Sequence, residues 1–184
     1  MIRQLLFLLA FLVAATAYAQ RPGDDSTNFV LINDLGEVTQ LSDYNGTPLI
    51  LNFWASWCAP CVEELPFFER IYDELNEGQD EPALNVLLVN NNEDFDKASS
   101  FLRDELGIEL DVVLDAPKDI RASLEAEGIK LDKTLEVIRS YRVRGMPSTF
   151  FIDADGVIQA VKQGFLLQSE APALLASIGL EWQP

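Results

Sequence analysis

Short apolar runs and longer amphipathic stretches follow one another along the chain. Apolar runs of strand length lie at residues 29–32, 49–54, 84–89, 111–114, 148–152 and 157–161. Stretches in which apolar residues repeat every three to four positions lie at residues 58–76, 93–106 and 169–178, and Pro117 opens a further helix. Strands that alternate with helices in this way predict an α/β fold, in which helices cover both faces of a central mixed sheet.

Turn residues join two sets of these runs into antiparallel hairpins. Asp34–Gly36 separates the first run from another at residues 38–41, and Asp153–Gly156 separates the last two runs. Pro66 lies inside the 58–76 helix and removes one of its backbone hydrogen bonds, so a kink is predicted there. The chain shows no internal repeat and no sign of a second domain.

The first nineteen residues have the pattern of an export signal. Arg3 precedes an almost purely apolar run at residues 5–17, and Ala17-Tyr18-Ala19 resembles a cleavage site. We predict a signal peptide at residues 1–19 and one domain at residues 20–184, with its core at about 27–180. Because a membrane-spanning helix needs about 20 apolar residues, cleavage is favoured over an uncleaved membrane tether. Export places the protein in the periplasm or another extracytoplasmic compartment, where disulfides persist.

Composition and charge argue against several classes of function. Of 184 residues, 48% are hydrophobic, and 30 Asp+Glu against 13 Lys+Arg give a net charge of −17. Such an acidic chain lacks the basic face of a nucleic-acid-binding protein. Histidine is absent and only two cysteines are present, which excludes His-dependent catalysis, His-ligated metals and a four-Cys zinc site within one chain. We therefore predict neither a metal nor a nucleic-acid partner.

The candidate chemistry lies in Cys58-Ala59-Pro60-Cys61, which follows a buried strand and opens a helix. This spacing is typical of thiol–disulfide exchange, because both sulfurs meet within the first helical turn. The helix N-terminus stabilises a thiolate, so Cys58 is predicted to be the nucleophile and the deeper Cys61 the resolving thiol. Two alternatives are a static disulfide, which would close too small a loop to stabilise the fold much, and half of an intermolecular metal site.

Together with other segments, this motif resembles the thioredoxin superfamily, and within it the exported proteins of the TlpA/ResA type. The matching segments are Leu41–Asp43, Leu51–Cys61, Glu64–Pro66 and Arg144–Phe150. The resemblance implies a thioredoxin fold with an N-terminal β-hairpin extension, and no cofactor besides the redox-active disulfide Cys58–Cys61. It also implies a cis bond between Met146 and Pro147, facing the cysteines. Trp57, Met146 and Pro147 are then expected to form the surface that binds the substrate.

The resemblance also draws attention to one acidic residue. Thioredoxins carry a buried Asp on the strand before the motif, where this chain has Asn52, which cannot exchange a proton. Glu64 lies one helical turn after Cys61, and in similar proteins a Glu at that place tunes proton transfer at the cysteines. Glu64 is therefore a catalytic candidate, with a solvated surface position as the alternative. Its neighbour Glu63 is predicted to be solvated.

One segment departs from the family pattern. Between Asp115 and Tyr141 the chain is longer than the family, and residues 127–140 carry enough apolar positions to predict a packed helical insert before the Met146–Pro147 loop. Two interpretations stay open, because the insert could border the partner groove or decorate the surface.

These observations predict an exported thiol–disulfide oxidoreductase that acts on protein substrates. The resemblance favours a monomeric reductase, with a role in cytochrome c maturation and a thiol electron donor that is either soluble or membrane-bound. One alternative is a thiol-dependent peroxidase, which usually places Thr and Arg beside its cysteine, and no such pair adjoins Cys58 in the sequence. The other is a non-catalytic thioredoxin-like binding module, which an intact cysteine pair disfavours. The substrate, the donor and the direction of electron flow stay open.

Overall fold

The computed structural model describes residues 20–184, and the predicted signal peptide at residues 1–19 lies outside them. The described residues form seven strands: β1 Val30–Asn33, β2 Val38–Gln40, β3 Leu49–Trp54, β4 Asn85–Asn90, β5 Asp111–Leu114, β6 Ser148–Ile152 and β7 Ile158–Gln163. They also form five α-helices: α1 Ala59–Asn76, α2 Phe95–Ser100, α3 Lys118–Ala126, α4 Thr134–Ser140 and α5 Ala171–Ser177. No helix in this part of the chain is long and apolar enough to span a membrane.

All seven strands join one mixed sheet in the order β2-β1-β5-β4-β3-β6-β7. The pairs β3–β4 and β4–β5 are parallel, as expected where a helix connects consecutive strands. The remaining pairs are antiparallel and include the two predicted hairpins, β1–β2 and β6–β7. The predicted α/β fold with its N-terminal hairpin extension is confirmed.

Alternate residues of the central strand β3 supply the cores on the two faces of the sheet. Ile50 and Trp54 pack into a cluster with α1, α2 and α5. Leu49, Leu51 and Phe53 face the opposite cluster, to which β1 and α4 contribute. Side chains along a strand alternate between the two faces of the sheet. Asn52 lies between Ile50 and Trp54 in this alternation, so its side chain is on the same face as α1.

The region before the Met146–Pro147 loop is packed, but its helical part is shorter than predicted. Gly128, at φ 88°, ends α3 in the left-handed conformation that favours glycine, so the chain is not helical again until α4. Tyr141, which follows α4, is buried against Phe53 and Phe150, with ring centroids 5.4 and 5.1 Å away. Its hydroxyl donates to the backbone oxygen of Thr27 at 2.8 Å. Val137, within the insert, belongs to the same buried cluster as Tyr141, so the insert is part of the core.

Two helix boundaries differ from the sequence-based prediction for local reasons. The helix predicted from residue 93 begins at Phe95, because Asp94 caps it by accepting from the Lys97 amide at 3.1 Å. Its last turn, Phe101–Glu105, widens into a π-helix before Gly107. Helix α1 starts one residue later than predicted and continues through Pro66 to Asn76.

Candidate active site

A disulfide joins Cys58 and Cys61 at the start of α1, shortly after the end of β3, with 5.2 Å between the two Cα atoms. Cys58 is the N-cap residue of α1, and Cys61 lies in the first turn of that helix. Cys58 keeps 6% of its surface exposed, whereas Cys61 is fully buried. Of the two cysteines, Cys58 is thus the one that a partner can reach.

The start of α1 provides the electrostatic environment that a reactive thiol needs. The first backbone N–H groups of a helix have no partner within it and carry partial positive charge. Pro60 lies in this first turn, where its missing N–H costs no helical hydrogen bond. We therefore expect Cys58 in the reduced protein to ionise more readily than a free thiol.

Glu93 stabilises the loop that carries Trp57 and Cys58. The Glu93 carboxylate accepts hydrogen bonds from the backbone N–H of Ser56 at 2.7 Å and from the Asn90 amide at 3.0 Å. Burial opposes ionisation of Glu93, but hydrogen bonds from the Ser56 hydroxyl, the Asn90 amide, the Ser56 backbone N–H and Lys97 outweigh it and lower the pKa of the carboxyl. An ionised Glu93 therefore anchors the loop between β3 and α1.

A groove runs beside the motif and contains two of the three residues predicted to bind the substrate. The Trp57 side chain is 64% exposed, Met146 is half-buried, and Pro147 is buried next to it. The Met146–Pro147 bond is cis. The active-site groove has a volume of about 360 Å³ and is lined by Trp57, Asn91, Ile138, Val143, Arg144, Gly145 and Met146. Because Ile138 belongs to α4, the insert borders this groove and is more than surface decoration.

Glu64 is fully buried, so the alternative of a solvated position is wrong, whereas Glu63 is exposed as predicted. Both oxygens of the Glu64 carboxyl accept hydrogen bonds, one from the Asn52 amide at 2.8 Å and one from the Leu166 backbone N–H at 3.0 Å. Burial raises the pKa of Glu64 to about 7, against the lowering effect of these two bonds and of the Lys162 charge. A carboxyl group with this pKa both accepts and releases a proton near neutral pH.

Asn52 connects Glu64 to the strand that follows the cis proline. The Asn52 amide nitrogen donates to Glu64 at 2.8 Å and also to the Thr149 hydroxyl at 3.0 Å. The amide oxygen of Asn52 is buried and has no hydrogen-bond partner among the described residues. Asn52 cannot carry a proton itself, but its amide holds the Glu64 carboxylate in place and favours its ionised form.

We expect replacement of Asn52 by Leu to raise the pKa of Glu64 by about one pH unit. A hydrogen bond to a charged group contributes about 1.5–3 kcal/mol, and about 1.4 kcal/mol corresponds to one pH unit. The pKa is measured by NMR titration of the Glu64 side-chain carboxyl carbon. Thr149→Val is the control, because it removes the other hydrogen bond of the Asn52 amide and leaves the one to Glu64. An unchanged Glu64 pKa in Asn52→Leu would contradict the positioning role.

The supporting roles of Asn52 and Glu93 do not follow from the sequence patterns. A local signal does exist for Glu93, because the polar run Asn90-Asn91-Asn92-Glu93 begins with the last residue of β4. The carboxyl ends of parallel strands meet at one edge of a sheet, where functional sites of α/β proteins gather. The contact between Asn52 and Glu64 depends on how α1 lies across β3, for which the sequence offers no spacing rule.

A family comparison agrees with this geometry. Residues 22–161 match the model of the AhpC/TSA family. The chain belongs to the AhpC/TSA family. It is also 31% identical over 144 residues to the thiol-disulfide oxidoreductase ResA of Halalkalibacterium halodurans, a match that covers 78% of this chain and 69% of that protein. The predicted family, ResA-like thiol–disulfide oxidoreductases, and the predicted enzyme class are thereby confirmed.

Solved structures support the same fold assignment. One neighbour is a protein from Chlorobium tepidum assigned as thiol:disulfide interchange protein DsbE, with a TM-score of 0.65 and 27% identity, covering 88% of this chain and 96% of that one. Another is a secreted thiol-disulfide isomerase from Corynebacterium glutamicum, with a TM-score of 0.60 and 25% identity, covering 84% and 85% of the two chains. The redox-active group of such enzymes is the cysteine pair itself. Within residues 20–184, no cluster of three or more acidic, Cys or His residues is arranged to hold a metal ion.

Proposed function

We propose that the protein is an exported reductase of protein disulfides, with Cys58 as the attacking thiol and Cys61 as the resolving thiol. The proposal rests on the unequal exposure of the two cysteines at the start of α1, 6% for Cys58 and none for Cys61. Cys58 is the one that remains accessible, and its neighbour Trp57 lines the active-site groove. Trp57, Met146 and Pro147 provide the surface against which the substrate chain lies.

The reaction consists of two exchange steps, and in each step one S–S bond forms while another breaks. In the reduced protein, the Cys58 thiolate attacks one sulfur of the substrate disulfide, forms a mixed disulfide and releases the other substrate sulfur as a thiolate, which takes up a proton. Cys61 then loses its proton and attacks the Cys58 sulfur, which releases the second substrate sulfur. The substrate gains two electrons and two protons, and the Cys58–Cys61 disulfide forms. A thiol electron donor, soluble or membrane-bound, returns the enzyme to its reduced state.

Glu64 is proposed to accept and return the proton of Cys61. Residues three apart on a helix are neighbours on its surface, and Cys61 and Glu64 are both fully buried on α1. A buried Cys61 has little access to water, so a nearby carboxyl with a pKa of about 7 is suited to take its proton at neutral pH. The ionised carboxylate also repels a thiolate, which keeps Cys61 protonated until the mixed disulfide has formed.

The N-terminal segment supports a location outside the cytoplasm. Residues 1–19 have the charge and hydrophobic pattern of a signal peptide, and the Corynebacterium glutamicum neighbour is a secreted protein. We propose cleavage after Ala19, with release as a monomer into the periplasm or an equivalent compartment. We also propose a place in cytochrome c maturation, as the family resemblance implies.

A reductase is expected to have a low reduction potential. We expect the Cys58–Cys61 couple near the thioredoxin value of about −270 mV, far from the value of about −120 mV found in a strong oxidant. The potential is measured by equilibration with dithiothreitol buffers, followed by alkylation and mass spectrometry. A potential near −120 mV would overturn the reductase proposal in favour of disulfide formation. Turnover of hydroperoxides as fast as that of disulfides would instead support the peroxidase alternative.

A further inference from the structure

Two adjoining depressions beside the active site are lined by arginines without any acidic side chain, although the protein as a whole is acidic. The first is the active-site groove. The second, of about 330 Å³, shares Arg144 with it and is lined by Gln20, Arg21, Tyr141, Arg142, Arg144, Phe150 and Gln163. Three arginines and no carboxylate line the two depressions, although the chain has 30 acidic residues and a net charge of −17.

Other depressions on the surface contain acidic side chains. These are Asp25 and Asp155 in one, Asp73, Glu74 and Glu77 in a second, and Asp115 in a third. The third depression also carries Lys118, Arg121 and Lys133. The absence of carboxylates beside the arginines, and not positive charge alone, therefore distinguishes the surface next to Cys58 from these three depressions. We call this surface, formed by the two adjoining depressions, the arginine groove.

The charges of Arg142 and Arg144 are not used to hold the fold together. Neither side chain makes a hydrogen bond or an ion pair with any residue in the described range 20–184. Arg142 follows α4 with φ 51°, a left-handed conformation in which glycine is the usual residue. A charged side chain thus occupies a position where glycine would end the helix with less strain.

The apolar part of the groove lies directly beside these charges. Trp57 is 64% exposed, and Ile138, Val143 and Met146 are each half-buried in the same lining. An apolar surface next to unpaired guanidinium groups is complementary to a chain segment that carries an apolar residue and carboxylates.

We propose that the arginine groove selects substrate proteins in which acidic residues flank the disulfide. An apolar side chain of the extended substrate segment contacts Trp57 and Met146, while carboxylates on the same segment pair with Arg142 and Arg144. This inference rests on the proposed function, since it names the substrate class of the same site. A basic partner, which the net charge of the whole protein would favour, is the competing occupant. Because charges are screened beyond about 8 Å at physiological ionic strength, the neighbouring arginines decide the preference.

The test uses two synthetic peptides, each with one intramolecular disulfide, that differ only in whether two Glu or two Lys residues flank it. The second-order rate constant for their reduction by the reduced protein is followed by quenching and mass spectrometry at physiological salt. We expect the double variant Arg142→Gln, Arg144→Gln to lower the ratio of the Glu-peptide rate to the Lys-peptide rate by about tenfold, because it removes two charge pairs. The Arg142→Lys, Arg144→Lys variant should keep most of that ratio.

A control variant that has the same net charge as the arginine variant distinguishes the effect of the groove charges from the effect of the overall charge. Lys118 and Lys130 are exposed and lie outside both linings, so Lys118→Gln, Lys130→Gln should change the ratio by less than about twofold. An equal fall in this control, or an unchanged ratio in the arginine variant, would overturn the inference and leave the proposed function intact. A wild-type protein that reduced neither peptide would instead overturn the proposed function itself.

Discussion

Replacement of Cys58 by Ser is expected to abolish disulfide exchange, and replacement of Cys61 by Ser is expected to trap substrates as stable mixed disulfides. Cys58 is the more accessible cysteine and lies at the N-cap of α1, whereas Cys61 is fully buried. Without Cys58 the substrate disulfide meets no reachable thiolate. Without Cys61 the mixed disulfide forms but has no internal thiol to resolve it.

The two variants are compared after incubation with a disulfide-bearing peptide, by intact-mass spectrometry without reductant. The expected result is a mass increase of one peptide in Cys61→Ser and none in Cys58→Ser. Circular dichroism of both variants confirms that each is folded. Equal trapping by both variants would contradict the assignment of the attacking thiol.

Replacement of Glu64 by Gln is expected to slow disulfide exchange by roughly 100-fold at neutral pH, the lower end of what general acid–base catalysis contributes. The variant keeps the size of the side chain and removes the group that is proposed to take the proton of Cys61. The rate of the wild-type protein should change with pH around the Glu64 pKa of about 7, and this dependence should be absent in the variant. The pKa of Cys61 should also fall, because the repulsion from the carboxylate disappears.

Glu63→Gln is the matched control for this substitution, since Glu63 is the exposed neighbour on the same helix. It removes the same charge, and the pH profile of exchange should stay that of the wild-type protein. If Glu63→Gln and Glu64→Gln changed the profile equally, the effect would come from net charge and not from the buried carboxyl.

Glu64 is also expected to make the stability of the protein depend on pH. The pKa of Glu64 is about 7 in the folded protein against an ordinary value of 4.5, so the folded state binds the proton more tightly. Its contribution to the free energy of unfolding is complete below about pH 4.5 and is lost as the pH rises through 7, by roughly 3 kcal/mol. Denaturant titrations at pH 5 and pH 8 should therefore show a smaller loss of stability in Glu64→Gln than in the wild-type protein.

The fold follows from the sequence where a local pattern determines the structure. The buried run at 49–54 is β3 with the predicted bounds, and Asp153–Gly156 forms the turn of the predicted hairpin. Boundaries shifted where a single side chain or a helix-ending glycine decided them, as at Asp94 and Gly128. Such choices depend on hydrogen bonds of one turn, which hydrophobic periodicity does not describe.

The candidate site follows from the sequence in its chemistry but not in its supporting contacts. The helical spacing places Glu64 on the same face as Cys61, and the family resemblance assigns a role to it. Its hydrogen bond from Leu166 joins parts of the chain 102 residues apart, and the groove brings Ile138 of the insert beside Trp57. Contacts of this kind arise from the packing of complete elements, so they become visible only in the folded structure.

The ionisation of each thiol is measured by the rate of alkylation of each cysteine in the reduced protein between pH 4 and pH 10, followed by mass spectrometry of the digested protein. We expect Cys58 to react with a midpoint well below the ~8.5 of a free thiol, because the N-terminus of α1 stabilises its thiolate. We expect Cys61 to react with a higher midpoint, because burial and the Glu64 carboxylate both disfavour its thiolate. Two cysteines that both titrated near 8.5 would contradict these roles of Cys58 and Cys61, since neither the helix nor Glu64 would then be changing the pKa of either thiol.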